Sequence, residues 1–313
     1  MIKGQAAISW LADHLDEEDA GASAHWRDEH KSFRYEDGKF SGLRGFGHHA
    51  PPARGLRRLA HQCLQKRFRN MGRPFRRFDE LDRMAESIVA KQNRHYELDV
   101  LRQVLSLACL IETAPECFGE NKTVLVIGDG FGTMASLALA AAPGVRVITV
   151  NLTKTLLVDL VYSGMAMTNG SYALAIDSAG ISAFHENQDI RLLGIRADDA
   201  ALLQHMPVDL IVNIASMQEM ALETITSYFG LFRSFASDNT FFYCSNREEK
   251  ILLDGTVVRF DDYPWSPEDQ NLFDELCPWH QFYYSPLPPF YRPYNGPIRH
   301  RLSILDKPGL LSD

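Results

Sequence analysis

Three glycines at alternate positions, Gly128, Gly130 and Gly132, enclose Asp129 and Phe131 and follow the apolar run Val124-Leu-Val-Ile127. A helical pattern begins directly afterwards, near Thr133 and Met134. A buried strand, a glycine turn and a helix in this order bring a ligand against bare backbone at the carboxyl end of the strand. No Cβ intrudes there, and glycine accepts the sharp turn. The three glycines are therefore the expected floor of a cofactor pocket, although a merely tight connection can use the same pattern.

Asp129 narrows the choice of cofactor. A dinucleotide needs the helix N-terminus free for its pyrophosphate, and a carboxylate inside the turn repels that anion. S-adenosylmethionine (SAM) has no phosphate and carries a cationic sulfonium and ammonium, so an acid in the turn suits it. The group that grips the ribose hydroxyls normally stands about 20 residues beyond the glycines and is an acid. Here that position is Asn151, after Val147-Ile-Thr-Val150. An amide can still bond a hydroxyl as donor and as acceptor.

Further candidates lie after later strands. In Arg196-Ala-Asp-Asp-Ala200, Asp198 or Asp199 could accept from an adenine amino group or could cap a helix. Asn213, Ser216, Gln218 and Glu219 fall at the mouth above the sheet, where reacting groups belong. Glu219 is the first candidate for a general base, with an ordinary helix-start role as the alternative. His280, in Pro278-Trp-His-Gln-Phe-Tyr-Tyr284, is the second, with packing in an aromatic cluster as its alternative. Tyr162, Trp279, Tyr283, Tyr284, Tyr291 and Tyr294 could surround a sulfonium or stack on a substrate, or could simply pack a lid. Tyr162, Gln218 and Tyr283 are the expected substrate contacts.

The elements that must position these groups follow from periodicity. Beyond Gly119, β-rich runs (residues 123–127, 145–150, 190–195, 210–214 and 240–244) alternate with helical runs (134–142, 154–167, 200–205 and 218–235). That alternation predicts a doubly wound, mostly parallel sheet with helices on both faces. Before it, Asp79 can cap a helix running to about Asn93, and Leu101, Val104, Leu105, Ala108 and Ile111 share the face of a second. Residues 38–52, rich in Gly, His and Pro, read as loop, and 171–188 as an added element or flap. Leu253-Asp-Gly255 signals a hairpin, and 298–305 resumes a strand pattern. The chain divides into an N-terminal arm and helical lid region, 1–118, and a Rossmann-like SAM-binding domain with an aromatic C-terminal segment, 119–313.

Composition bounds the partners. The 313 residues carry a net charge of −8 with 45% hydrophobic residues, which suits a globular chain and argues against a nucleic-acid partner. Residues 54–77 hold nine Lys or Arg and no acid; a solvated helix face or a phosphate-recognising surface would explain them. Five scattered cysteines suggest neither a disulfide framework nor a zinc site. His48 and His49 lack companions at ligand spacing, so no metal is expected. There is no uncharged apolar run of spanning length, and a soluble, cytoplasmic protein acting on a small-molecule substrate is the expectation. The oligomeric state stays open, a homodimer included.

Val126-Ile-Gly-Asp-Gly-Phe-Gly132 together with Asn213-Ile-Ala-Ser-Met-Gln-Glu-Met220 resembles a bacterial family of sugar O-methyltransferases within the class I SAM-dependent superfamily. The likeness covers roughly residues 94–305. That family usually has Gly-Gly-Gly-Phe-Gly in the turn and Asp-Leu-Pro after the second strand; this chain has Asn151-Leu-Thr153, which marks a divergent member. The resemblance implies a Rossmann-like fold with a seven-stranded sheet, SAM as cofactor, and methyl transfer to a hydroxyl. Two other readings fit the same residues. One is attack at the aminocarboxypropyl chain of SAM, including cyclisation that releases methylthioadenosine. The other is a non-catalytic SAM or nucleotide binder.

Overall fold

The computed structural model describes residues 1–44, 50–167 and 171–307. Gly45, Gly47, His48 and His49 lie outside these. Strand β1 (Ile2–Lys3) leads into helices α1 (Gln5–Asp13) and α2 (Ala24–Glu29) and a hairpin of β2 (Arg34–Glu36) and β3 (Lys39–Ser41). Helices α3 (Gly55–Gly72), α4 (Phe78–Lys91) and α5 (Leu98–Thr113) follow. Strands and helices then alternate as β4 (Thr123–Ile127), α6 (Thr133–Ala141), β5 (Arg146–Asn151) and α7 (Thr153–Ala166). They continue as β6 (Tyr172–Leu174), α8 (Ser178–Glu186), β7 (Leu192–Arg196), β8 (Leu210–Ile214), α9 (Leu222–Arg233) and β9 (Phe241–Arg247). The tail adds hairpin β10 (Glu249–Ile251) and β11 (Val257–Arg259), strand β12 (Gln270–Leu276), hairpin β13 (Phe282–Tyr284) and β14 (Tyr291–Pro293), and β15 (Ile298–Ile304).

One sheet of nine strands runs in the order β1-β6-β7-β5-β4-β8-β9-β15-β12. From β6 to β9 the pairing is parallel, while β15 runs antiparallel to both β9 and β12. The seven strands from β7 to β12 form an open, mostly parallel, Rossmann-like arrangement. The expected strand count is corrected at one edge. The segment read as a flap supplies β6, and β1 pairs antiparallel against it, Ile2 opposite Leu174. Two further corrections are local. Residues 197–203 form a 3-10 turn, and another, Met217–Glu219, precedes the start of α9. Within the expected 38–52 loop, Lys39–Ser41 is a strand. It is paired across the Asp37-Gly38 turn, whose two residues have φ of 50° and 74° as a tight hairpin requires.

Every residue of β4 is buried, as an apolar strand covered by helices on both faces must be. One core is built jointly by α1, α4, α5, α6 and one face of the sheet, so the N-terminal helices and the strands share it. A second core lies on the other face and includes Phe229 and Phe232 of α9. The basic stretch forms α3, whose Arg57, Arg58, Lys66 and Arg67 are exposed. Among the described residues, no helix is long and apolar enough to cross a membrane.

The tail is fastened to α9 by Arg233, which donates to both carboxylate oxygens of Asp269 at 2.8 and 2.9 Å. The Asp269 side chain is 1% exposed and that of Arg233 16%, so loss of the carboxylate leaves a largely covered guanidinium without its counter-charge. Arg233 retains bonds to the Asp306 and Pro264 carbonyls, which softens the effect. Asp269→Ala should lower the unfolding free energy by about 2 kcal/mol in urea titration. Asp261→Ala, which breaks an exposed pair with Arg299, should cost under about 1 kcal/mol. Equal losses would contradict the assignment.

Candidate active site

From β4 the chain winds outward in both directions, to β5 on one side and to β8 on the other. The crevice outside the carboxyl ends of the strands at such a switch point is where ligands bind in open α/β sheets. A cavity of about 680 Å³ opens there. Its walls are Gly128–Gly130 after β4, Asn151 and Leu152 at the end of β5, Asp198 after β7, and Ser216, Gln218 and Glu219 after β8. Gly21, Ser23 and Trp26 of the N-terminal segment close it from one side, and Arg102 and Gln103 of α5, Arg247 at the end of β9, and His280 and Tyr294 of the tail from another.

The turn glycines divide the work. A Cβ on Gly128 would stand 2.4 Å from Ser216 Oγ, and one on Gly132 would stand 2.0 Å from Ser163 Oγ. Packing and positive φ demand glycine at both. A Cβ on Gly130 would meet nothing within 4 Å; this residue leaves backbone open towards the cavity. Gly132 itself stands off the cavity, where its amide donates to Asp159 at 3.1 Å.

Asp129 accepts from the Met134 and Ala135 amides at 2.9 and 2.8 Å, so its carboxylate occupies the first turn of α6. Burial raises its pKa, while these amides and the Arg94 charge oppose the rise. Behind it, fully buried Asp159 is pushed well above the carboxylate range by burial and by Asp129. Asn151 donates to Asp159 at 2.8 Å and accepts from the Leu152 amide at 3.0 Å. Its amide is thus committed within the protein while still edging the cavity.

Asp198 accepts the Ala20 and Gly21 amides at 2.9 and 3.2 Å, so it anchors the N-terminal segment over the sheet. Its neighbour Asp199 pairs with Arg196. Asp19 joins that anchor by accepting from both the amide and the hydroxyl of Thr153 at the start of α7. Glu17 pairs with Arg196.

The rim after β8 is a hydrogen-bonded frame. Asn213 donates to the Ile127 carbonyl and accepts from the Met217 amide and the Asn246 side chain. Asn246 in turn accepts from the Gln218 amide, and Gln218 Oε1 accepts from the Arg247 amide at 2.8 Å. Ala215, with φ of 59°, is held in a region L-residues avoid, the kind of backbone strain found at functional sites. Glu219 is ion-paired with Lys250 and lies 3.7 Å from His25. His280 is buried, with Nδ1 3.2 Å from Cys277 Sγ. Burial, and then the Arg102 charge, lowers its pKa well below the usual histidine value, so its imidazole is neutral at pH 7.

The structure thus gathers Gly128, Asp129, Gly130, Asn151, Asp198, Gln218, Glu219 and His280 around one cavity. It places the others elsewhere. Fully buried Asn213 serves the frame beneath. Tyr162 packs edge-on against Phe131 and stacks on Phe40. Tyr283 is exposed on β13. Neither tyrosine lines the cavity, which corrects their expected substrate contact: one is core, the other surface. Trp279 is buried with its indole on Ser106, Tyr284 bonds His61 and Gln65, and Tyr291 donates to the Leu64 carbonyl. Of the tail aromatics singled out in sequence, Tyr294 reaches the cavity. Sequence reasoning missed Gln103 and Arg247. The first is a polar residue inside an apolar helix; the second sits just past the apolar part of β9.

No protein-family model matches this chain, and no curated protein matches it in sequence. Solved structures show slight likenesses. A cyclopropane synthase from Mycobacterium tuberculosis is 16% identical over 46% of this chain and 44% of its own, with a TM-score of 0.27. Coclaurine N-methyltransferase bound to N-methylheliamine and S-adenosylhomocysteine is 10% identical over 56% and 51%, at 0.34. A protein solved in work on conversion of a disulfide bond into a thioacetal group during echinomycin biosynthesis is 12% identical over 64% and 81%, at 0.39. The chain spans about half the length of the first two. At these values the likeness assigns no activity, and the site's own geometry must carry the functional reading.

Proposed function

We propose that this chain is a SAM-dependent transferase for a small molecule, with methyl transfer to a hydroxyl as its reaction. The observation that carries this reading is Asp129 seated on the Met134 and Ala135 amides at the switch-point turn. A phosphate-bearing cofactor would need those amides; the carboxylate has taken them, and its charge favours a cationic ligand. Gly130 leaves the open approach, and a cavity of about 680 Å³ falls in the size range of small-molecule sites.

Gly128 and Gly130 would hold the cofactor, with Asn151, fixed by Asp159, edging the pocket beside them. When bound, it supplies an electrophilic methyl group on sulfur. The chain's own residues must position the acceptor oxygen and receive its proton. His280 is the better-placed receiver, since burial keeps it neutral while Glu219 is committed to Lys250. In the tautomer this role requires, Nδ1–H donates to Cys277 Sγ and Nε2 is the nitrogen left to take the proton. So weak a base works only once the oxygen has given its electron pair to carbon, so placement of the oxygen matters more than basicity.

The test is calorimetry with SAM, then incubation with SAM and a pool of hydroxyl compounds, with mass spectrometry of the released nucleoside. Micromolar-range binding and release of S-adenosylhomocysteine are expected. Methylthioadenosine would instead mean that the aminocarboxypropyl chain reacts. Absence of SAM binding would remove the proposal.

A further inference from the structure

Among the described residues, two residues of the cavity wall each carry a buried polar atom with no hydrogen-bond partner, Arg247 Nε and Gln103 Oε1. Leaving such groups unpaired costs about 1–3 kcal/mol each, and more when the group is charged. The neighbouring cations are already neutralised. Arg102 bonds Asp99 at 2.8 Å and the Trp279 and Phe282 carbonyls, and Lys250 pairs with Glu219. Arg247 has no carboxylate within ion-pairing distance among the described residues. Its guanidinium rests 5.5 Å from the centre of the Tyr294 ring.

The backbone that carries Arg247 is held in place. Its amide is bonded to Gln218 Oε1, and Gln218 is itself fixed through Asn246. A guanidinium with no carboxylate partner matches a planar carboxylate, which it can bind through two parallel bonds. One uncompensated positive charge suits one negative charge. Arg247 ends β9, on the β8 side of the glycine turn, whereas Asn151 and Asp198 lie on the β5 side. The anion it awaits is therefore on the acceptor side of the cavity.

We propose that the acceptor is a small hydroxy acid whose carboxylate is held by Arg247 and which presents a hydrogen-bond donor to Gln103 Oε1. This rests on the transferase reading above. The test uses matched pairs of hydroxybenzoates and short aliphatic hydroxy acids with their primary amides, binding being measured by calorimetry with and without S-adenosylhomocysteine. At least one acid should bind about tenfold or more tighter than its amide, a difference of about 1.4 kcal/mol. That preference should vanish in Arg247→Gln, with SAM affinity changed less than about twofold. Gln103→Leu should keep the preference for acids yet no longer favour hydroxy acids over their deoxy analogues; it also serves as the second arm should Arg247→Gln fail to fold.

Equal binding of acids and amides, or no acid binding at all, overturns the proposal. So does a tenfold loss of SAM affinity in Arg247→Gln with acid binding unchanged, which would give the guanidinium to the cofactor's own carboxylate. If the wild-type chain binds no SAM yet prefers acids through Arg247, the transferase reading fails and the anion site stands.

Discussion

Gly130→Ala is expected to weaken SAM binding by about a hundredfold or more, while Gly132→Ala is expected to damage the fold instead. The two residues sit in one turn with positive φ, 91° and 59°, so both substitutions carry backbone strain of about 1–3 kcal/mol. They differ in what the new methyl meets. At Gly130 it meets no protein atom within 4 Å; it projects into space a cofactor must approach. At Gly132 it would lie 2.6 Å from the Asp159 carbonyl oxygen as well as against Ser163. Backbone cannot swing aside, so overpacking of about 1–3 kcal/mol adds to the strain. Calorimetry with SAM and urea titration on both variants separate the effects. A Gly130→Ala protein that binds SAM as the wild type does would place the cofactor somewhere other than this turn.

What could be read in the sequence is what repeats. The strand run 123–127 and the helical spacing of Leu101, Val104, Leu105 and Ala108 declare themselves because burial selects residue type at every turn or alternate position. Strands β1 and β6, of two and three residues, are too short to hold any period. Strand β9 runs on through Ser245, Asn246 and Arg247, but polar residues that are buried because they bond one another look like a loop. Asp198 shows a different limit. Its partners, the Ala20 and Gly21 amides, lie 178 and 177 residues away, a relation no local pattern contains. Asp129 was legible as an obstacle to phosphate, but the sequence suggested repulsion alone; the structure adds that it occupies the amides phosphate would use. Aromatic residues were the least informative, because Tyr162, Tyr283 and Tyr294 are the same type in core, surface and cavity.

Acidification should release the N-terminal segment from the sheet, through His30. This histidine follows α2, which carries the cavity residue Trp26, and it packs on α7 with Nε2 3.3 Å from Thr155 Oγ1. Burial, reinforced by Lys154 and His25, lowers its pKa to about 4 from 6.5. The folded chain therefore binds this proton less readily than the unfolded chain does. The stability so contributed is fully present above pH 6.5 and is lost as pH falls through about 4, a window worth about 3 kcal/mol at 1.36 kcal/mol per pH unit. Asp19, on the same segment, has a raised pKa from burial, opposed by its bonds to Thr153. Its contribution runs the other way, being present at low pH and lost as pH rises through its folded value. Comparing the wild type with His30→Gln cancels that term. Between pH 7 and 4 the wild type should lose about 3 kcal/mol relative to the variant in urea titration. Over the same range it should become more sensitive than the variant to proteolysis within residues 15–33. Parallel stability curves for the two proteins would show that His30 does not hold the segment, and closure of the cavity by Gly21, Ser23 and Trp26 would then depend on the anchors at Asp19 and Asp198.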